Sequence, residues 1–506
     1  MLNLNILFGS TLELNKRENS ILEPKTKIWT ECVILFLLLG IWQFFFADIC
    51  TDWAGFIVDE GFVHYGASRW LTGELPYRDF FFLWTPGSLL PSMLAQFFQV
   101  VNPIAVVRWI SFLFFSAIPL SIFSLSSYFN FSRADKIFFC LLSLTWGFAH
   151  WNIPYASWFA IAISLIGYQL FISQRSFLLI GFVFGLSFWL KQNIGIFSLI
   201  ALHIIQHLEK FTMKKRLELF LGFLICLSPG IFYFVFHSAG KQFASQVFLF
   251  PLVYKSAMFL APNWQKVFSP VYLFFYLCFA SSFFAWLFFA CQRNKWKLDK
   301  KIIYYGFFSF CLALQCYPRM DFQHILFSFL PALPMLLYFR QQSSFFVKMI
   351  IGVSLTLAIL GGAWRSYELA KEKLTTRTTY FNLFPTEENK IFLSEAQALK
   401  RYLSKSLAWH SGDSLLVLPH EETLYFLLGA KNVTPHNQIL PRYVESFGDI
   451  PEQILPNYKA SGGHYVVLGY APVLKATSNE LYSELIKHYR VKMQFPYYFS
   501  IWEPKN

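Results

Sequence analysis

Long apolar runs separated by short polar stretches fill the first two thirds of the chain, and the final third changes to short alternating segments. Residues 28–46 form the first run, close to the roughly 20 residues that cross a hydrocarbon core. Further runs cover residues 104–128, 217–236, 270–290, 302–317, 325–339 and 346–362. Residues 137–173 read as a hairpin turning at HWNIPYAS. The stretch 177–208 is too long for one crossing and is interrupted by Lys191-Gln192-Asn193, which predicts a second hairpin. Together these predict about eleven transmembrane helices. Residues 89–101 are apolar but short and are expected to dip into the outer leaflet without crossing.

Between the first two runs, residues 60–72 set Phe62, Val63, Ala67, Trp70 and Leu71 against His64, Ser68 and Arg69 at helical spacing, as in an interfacial helix. Gly73 and Pro76 end it. From Trp364 onward a helical segment (387–407) is followed by a β-run at 414–418, a short helix at 421–428, a second β-run at 465–469, a helix at 479–489 and a closing strand at 497–502. Alternation of this kind predicts a small α/β domain. The expected division is a tail (1–27), a transmembrane domain (28–363, with a first outer loop at 48–103) and a C-terminal soluble α/β domain (364–506). The fold class is thus a mainly α membrane protein with juxtamembrane helices in its first outer loop.

Charge fixes the orientation. Basic clusters at Lys16–Lys27, Arg133–Lys136, Arg175, Lys210–Arg216, Arg293–Lys301 and Arg340 all fall on one side if residues 89–101 do not cross, and the positive-inside rule makes that side cytoplasmic. The first outer loop, HWNIPYAS, Lys191, the stretch 318–324 and the C-terminal domain are then extracytoplasmic, and the expected location is the plasma (inner) membrane. Of the 506 residues 56% are hydrophobic and 14% charged, too apolar for a soluble protein of this length. The net charge of +13 comes from the clusters between apolar runs, so it gives no indication of nucleic-acid binding. Nearly all of the eight Cys lie in apolar runs, which reads as burial rather than disulfide or metal-site chemistry. The N-terminal 27 residues are too polar and acidic for a cleaved signal peptide, and the first run reads as an uncleaved anchor.

This topology puts Asp59, Glu60, Asp79, Lys191, Arg319, Asp321 and His324 at the outer ends of spans. Ionisable groups at membrane depth cost about 2.5–3.5 kcal/mol on insertion scales and are usually retained for function. A cavity open to the outer leaflet is implied. Taken alone, each residue also has a plainer reading. Asp59 fits an interfacial helix cap, Lys191 a snorkelling span terminus, and His324 either a group oriented by Asp321 or a cap of its span. Lys241, Lys255 and Lys266, interleaved with Phe248, Phe250, Phe259 and Trp264, fit a mobile lid or an interfacial anchor. Pro419-His420-Glu421-Glu422 lacks metal-ligand spacing and fits a helix N-terminus.

The stretch 58–86, VDEGFVHYGASRWLTGELPYRDFFFLWTP, carries an acidic pair after the first span, a short helix, a G-x-x-P-Y-x-D turn at Gly73–Asp79 and an aromatic run ending in Pro. This order resembles the first outer loop of GT-C glycosyltransferases, the multi-span enzymes that use polyprenyl-phosphate sugars, including protein O-mannosyltransferases and aminoarabinose transferases. Lys191-Gln192 after an apolar helix and Arg319-x-Asp321-x-x-His324 entering a later span are similar to outer-face motifs of bacterial members. The resemblance implies a general base at Asp59 with Glu60 as second choice. It implies donor or phosphate contacts from Asp79, Lys191, Gln192, Arg319, Asp321 and His324, with Lys191 and Arg319 stabilising the leaving phosphate. Its implied partners are a polyprenyl-phosphate sugar, a glycan, lipid or protein acceptor, and membrane lipids. The family often has an acid in the second outer loop, but HWNIPYAS contains none, which leaves a divalent metal open and assigns no ligands to one. The competing reading is a transporter or flippase for lipid-linked sugars.

Overall fold

A computed structural model describes residues 22–42, 57–99, 103–125, 129, 131–147, 154–253, 300–316, 322–375, 387–419, 421–437, 439, 450–469 and 471–505. The run 270–290, the start of the HWNIPYAS turn, Lys255, Lys266, Arg319, Asp321 and His420 lie outside them. The chain divides into two compact units. One comprises Met1–Asp48, Ser111–Pro229 and Leu260–Ala370, the other Ile49–Ile110, Gly230–Phe259 and Lys371–Asn506. By contacts, the residues of the first outer loop group with the C-terminal residues.

The first unit is helical. α1 (Leu22–Trp42), α4 (Pro103–Ser124), α5 (Arg133–Thr145), α6 (Ala156–Ile172), α7 (Phe177–Leu190), α8 (Gln192–Leu208), α9 (Met213–Phe236), α12 (Lys300–Ala313), α13 (Phe322–Gln342) and α14 (Phe345–Thr375) supply it in whole or part. Among the described residues, three helices are long and apolar enough to cross a membrane: α4, α9 and the Phe345–Tyr367 part of α14. Phe345, Phe346, Met349, Ile350, Val353, Leu357 and Leu360 of α14 are all exposed, a continuous apolar surface suited to acyl chains rather than water. The last span was expected to end at 362, but α14 continues helically to Thr375.

The stretch 177–208 is two helices, as expected, and its break is a single residue. Lys191 is extended (φ −152°, ψ 112°). Its N–H donates to Ser187 O at 2.9 Å to close α7, and its carbonyl accepts from Gly195 N at 3.3 Å to open α8. So tight a reversal brings α8 onto α7, and a Cβ at Gly195 would lie 2.5 Å from Phe188 Cα. Only glycine fits there.

The second unit holds α2 (Ile57–Leu71), α3 (Leu90–Phe97), α10 (Gly240–Ala244), a π-helical turn (Ser245–Leu249), α11 (Phe250–Val253) and the C-terminal domain. α3 has eight residues, about 12 Å of helix, far short of a ~30 Å hydrocarbon core. α2 ends at Gly73 (φ +99°), where an L-residue would be strained.

In the C-terminal domain β1 (Leu416–Leu418), β2 (Val466–Leu468), β3 (Tyr489–Gln494) and β4 (Ser500–Pro504) form a sheet in the order β1-β2-β4-β3. The β1–β2 pair is parallel, the other pairs are antiparallel, and β3–β4 carries a bulge between Val491 and Met493. Strand alternation separates two apolar faces. Val417, Val467 and Ile501 face α15 (Glu387–Ser406) and α16 (Thr423–Leu428). Leu416, Leu418, Val466 and Leu468 face α17 (Ile450–Ala460), α18 (Ala471–Thr477) and α19 (Asn479–His488). The helix expected over 479–489 stops at His488, and Tyr489 begins β3, which the periodicity did not predict.

Gly195→Val forces Phe188 and the α7–α8 reversal apart and is expected to cost about 1–3 kcal/mol or more. Thermal unfolding of the detergent-solubilised chain checks this against Gly352→Ala, where a Cβ meets nothing within 4 Å. Equal melting temperatures for the two variants would remove the steric argument.

Candidate functional site

The acidic loop is built on α2. Gly61, Tyr65 and Arg69 recur every four residues and so share one helix face. A Cβ at Gly61 would lie 2.5 Å from Thr423 N, so the glycine lets α2 touch α16 backbone to backbone. Tyr65 stacks on Tyr425 at 4.5 Å and joins the apolar core of the C-terminal domain, and its hydroxyl accepts from Asn432 N at 2.6 Å. Arg69 is buried. It donates to Glu74 Oε2 (2.6 Å), Asn437 Oδ1 (2.6 Å), Thr434 O (3.0 Å) and Asp79 O (3.4 Å), and its guanidinium lies 4.8 Å over the Phe80 ring. Residues 60–67 are buried throughout, so α2 is not the half-exposed interfacial helix its spacing predicts. Its polar positions serve the C-terminal domain and an ion pair.

That ion pair is Glu60–Arg108. Arg108 Nε donates to Glu60 Oε1 at 2.7 Å and Nη2 to Oε2, with the two side chains 4% and 1% exposed. Both carboxylate oxygens are engaged, which leaves Glu60 poorly placed to accept an acceptor proton. Asp59 lies in the first turn of α2. One turn past Glu60, the fully buried His64 has neither ring nitrogen hydrogen-bonded. Burial holds its imidazole down to about 4, against the opposing pull of Glu60.

Asp79 orders the turn after α2. It accepts from Leu75 N (2.7 Å) and from Arg78 Nε (2.9 Å) and Nη2 (2.7 Å), and the Arg78 contacts hold its carboxyl below the usual value. Gln246 of the π-helical turn fastens the same loop, accepting from Phe82 N and donating to Tyr77 O, both at 3.0 Å.

The cationic positions belong to the other unit. Lys191 is only 7% exposed. Its ammonium donates to Ser157 Oγ (2.5 Å) and Gln315 Oε1 (3.0 Å), and it lies 5.2 Å from the Tyr155 ring and 5.9 Å from the Phe327 ring. Gln315 Nε2 donates to His324 O (3.0 Å) and Ser328 Oγ (3.1 Å), and the His324 ring sits edge-on to Tyr155 at 6.0 Å. Lys191 and His324 are therefore joined through one aromatic and amide cage. Gln192 opens α8 beside them. Among the described residues no group of three or more His, Cys, Asp or Glu could hold a metal ion.

Of the residues singled out from sequence, Lys191, Gln192 and His324 come together in the first unit, and Asp59, Glu60 and Asp79 occur in one loop of the second. Arg108, Ser157 and Gln315 were missed. An arginine inside the 104–128 run was the available signal for the first, because a charge in a span demands a partner.

No family model matches the sequence, and no curated protein matches it. Solved structures do. ArnT from Cupriavidus metallidurans bound to undecaprenyl phosphate is similar with a TM-score of 0.56 at 13% identity, over 94% of this chain and 98% of that one. The apo state of the same protein gives 0.52 at 13% identity with the same coverage. The Archaeoglobus fulgidus oligosaccharyltransferase tethered to an acceptor peptide gives 0.47 at 11% identity, over 92% of this chain and 72% of that one. The likeness to the Cupriavidus metallidurans protein is one of fold, and it extends across most of the chain.

Glu60→Gln or Arg108→Met leaves a buried charge without its partner, at an expected cost of about 3–5 kcal/mol, and the double replacement recovers most of it. A double-mutant cycle of unfolding free energies checks this, and additive losses would contradict it.

Burial also holds His436 down to about 4. For both histidines the folded value lies below the unfolded one near 6.5. The unfolded chain therefore binds more protons between those values, and stability falls as pH drops from about 6.5 to 4, by up to roughly 1.4 kcal/mol per pH unit for each. Melting temperature across this window should fall less steeply in His64→Leu, and an unchanged slope would exclude His64 as a source.

Proposed function

We propose that the chain is an integral membrane glycosyltransferase that moves a sugar from a polyprenyl-phosphate donor to a glycan, lipid or protein acceptor at the outer face of the membrane. The observation that carries this reading is the caged Lys191 ammonium, held by a hydroxyl, an amide and two aromatic faces. One cation about 4 Å from a phosphate charge, at an effective dielectric near 20, attracts it by roughly 4 kcal/mol. Such a term acts where charge develops on the departing oxygen. The fold likeness to ArnT, solved bound to undecaprenyl phosphate, supports a lipid phosphate as the carrier.

In the reaction, the acceptor oxygen attacks the anomeric carbon and gives its proton to Asp59. The bond from that carbon to the phosphate oxygen breaks with inversion, and polyprenyl phosphate leaves with the electron pair. Lys191 and Arg319 meet its charge. Gln192, Asp321 and His324 hold the donor, and Asp79 keeps its loop ordered. Glu60, locked to Arg108, is the weaker choice for the base.

Purified full-length chain incubated with a panel of radiolabelled polyprenyl-phosphate sugars should release polyprenyl phosphate from at least one. Asp59→Asn should lower the rate by about 10²–10⁴, the range of general-base contributions. An unchanged rate in that variant would remove Asp59 from the role. Movement of intact lipid-linked sugar across reconstituted vesicles, with no sugar released, would replace the transferase by a transporter.

A further inference from the structure

Gln315 is 2% exposed and makes every hydrogen bond its amide can make. Its Oε1 accepts from Lys191 Nζ (3.0 Å) and Ser157 Oγ (3.2 Å), and its Nε2 donates to His324 O (3.0 Å) and Ser328 Oγ (3.1 Å). The His324 carbonyl can only accept and the Lys191 ammonium can only donate, which fixes which end of the amide is oxygen. The oxygen end is thereby turned to the ammonium. Ser157 reinforces the arrangement, since its hydroxyl donates to Gln315 and accepts from Lys191. Gln315 stands in the short 3-10 turn Leu314–Cys316 that extends α12, and Lys191 at the α7–α8 break, so one amide ties the ammonium to α12, α6 and α13.

A carboxylate of the same length would make the same two contacts with Lys191 and Ser157. It would also neutralise the ammonium it holds and oppose the His324 carbonyl. The amide positions the cation and contributes no charge of its own. We propose that Gln315 is the positioning residue of this site, holding Lys191 in place for the phosphate monoester of a prenol carrier with a neutral oxygen that adds no negative charge beside it. The inference rests on the assignment of Lys191 to the donor phosphate.

Binding of undecaprenyl phosphate, undecaprenol and inorganic phosphate to the detergent-solubilised full chain tests it, together with the melting temperature of each variant. Gln315→Glu should weaken undecaprenyl phosphate by about a hundredfold or more, because a charge is cancelled at contact distance. Gln315→Met, which keeps the volume and removes one hydrogen bond to the charge, should weaken it by about tenfold. Undecaprenol binding should be unchanged in both. This ordering, with the charged variant worse than the apolar one for the phosphate alone, is not produced by a structural defect, which lowers melting temperature and both lipid affinities together. Should Gln315→Glu not fold, Gln315→Met still decides the question.

Lys191→Met separates the inference from the reading beneath it. If that variant loses its preference for phosphate over prenol while Gln315→Glu and Gln315→Met bind as the parent, the positioning role is overturned and Lys191 keeps its own. If Lys191→Met binds undecaprenyl phosphate as the parent does, the assignment of Lys191 falls and the inference with it. Inorganic phosphate competing as well as undecaprenyl phosphate would overturn the prenol carrier.

Discussion

A buried guanidinium has five N–H donors and keeps its charge at any working pH, so the chain around Arg69 must supply acceptors. It draws them from Glu74 and Asp79 in the turn after α2 and from Thr434 and Asn437 in the C-terminal domain. The turn that carries the last two is itself held in place. Asn432 Oδ1 accepts from Thr434 N and Oγ1, and its Nδ2 donates to His436 O. The turn that receives Arg69 is therefore shaped by its own polar side chains, and the loop carrying Asp59 folds as part of the α/β domain. With Tyr65 one turn and Gly61 two turns earlier, the arginine fixes the register of α2, and so the position of every residue on it.

Charge is buried in more than one way. Glu60 and Arg108 cancel one another, an arrangement whose value is geometric, because two desolvated ions return little net stability. Lys191 is held by Ser157 and Gln315 and lies against the Tyr155 and Phe327 rings, whose dipoles and ring faces solvate the ammonium. A cancelled pair suits a helix that must not move. A solvated cation suits a group with an anion to meet.

Much of this could be read from the chain. Hydropathy marked α4, α9 and α14, the Lys191 interruption marked the α7–α8 reversal, and Gly73 marked the end of α2, each because a strong local constraint acts there. What failed was non-local. Tyr65 and Arg69 look like ordinary positions of an amphipathic helix, and only the fold reveals that residues more than 360 positions away take them up. Arg108 stood in plain view inside an apolar run, but its partner Glu60 was read as a catalytic candidate. Gln315 gave no local signal, since one amide at the end of a span has no periodicity. β3 went unread because five of its six residues are exposed, so it lacks the inward alternation that marks a half-buried strand.

That same strand occupies one border of the sheet, where unsatisfied backbone groups invite another chain to add on. Arg490 and Lys492 both reach across to Glu503 on β4, and the bulge between Val491 and Met493 bends the ladder there. Charge and curvature together make this border a poor template. The domain can stand at high density without zipping to its neighbours strand by strand.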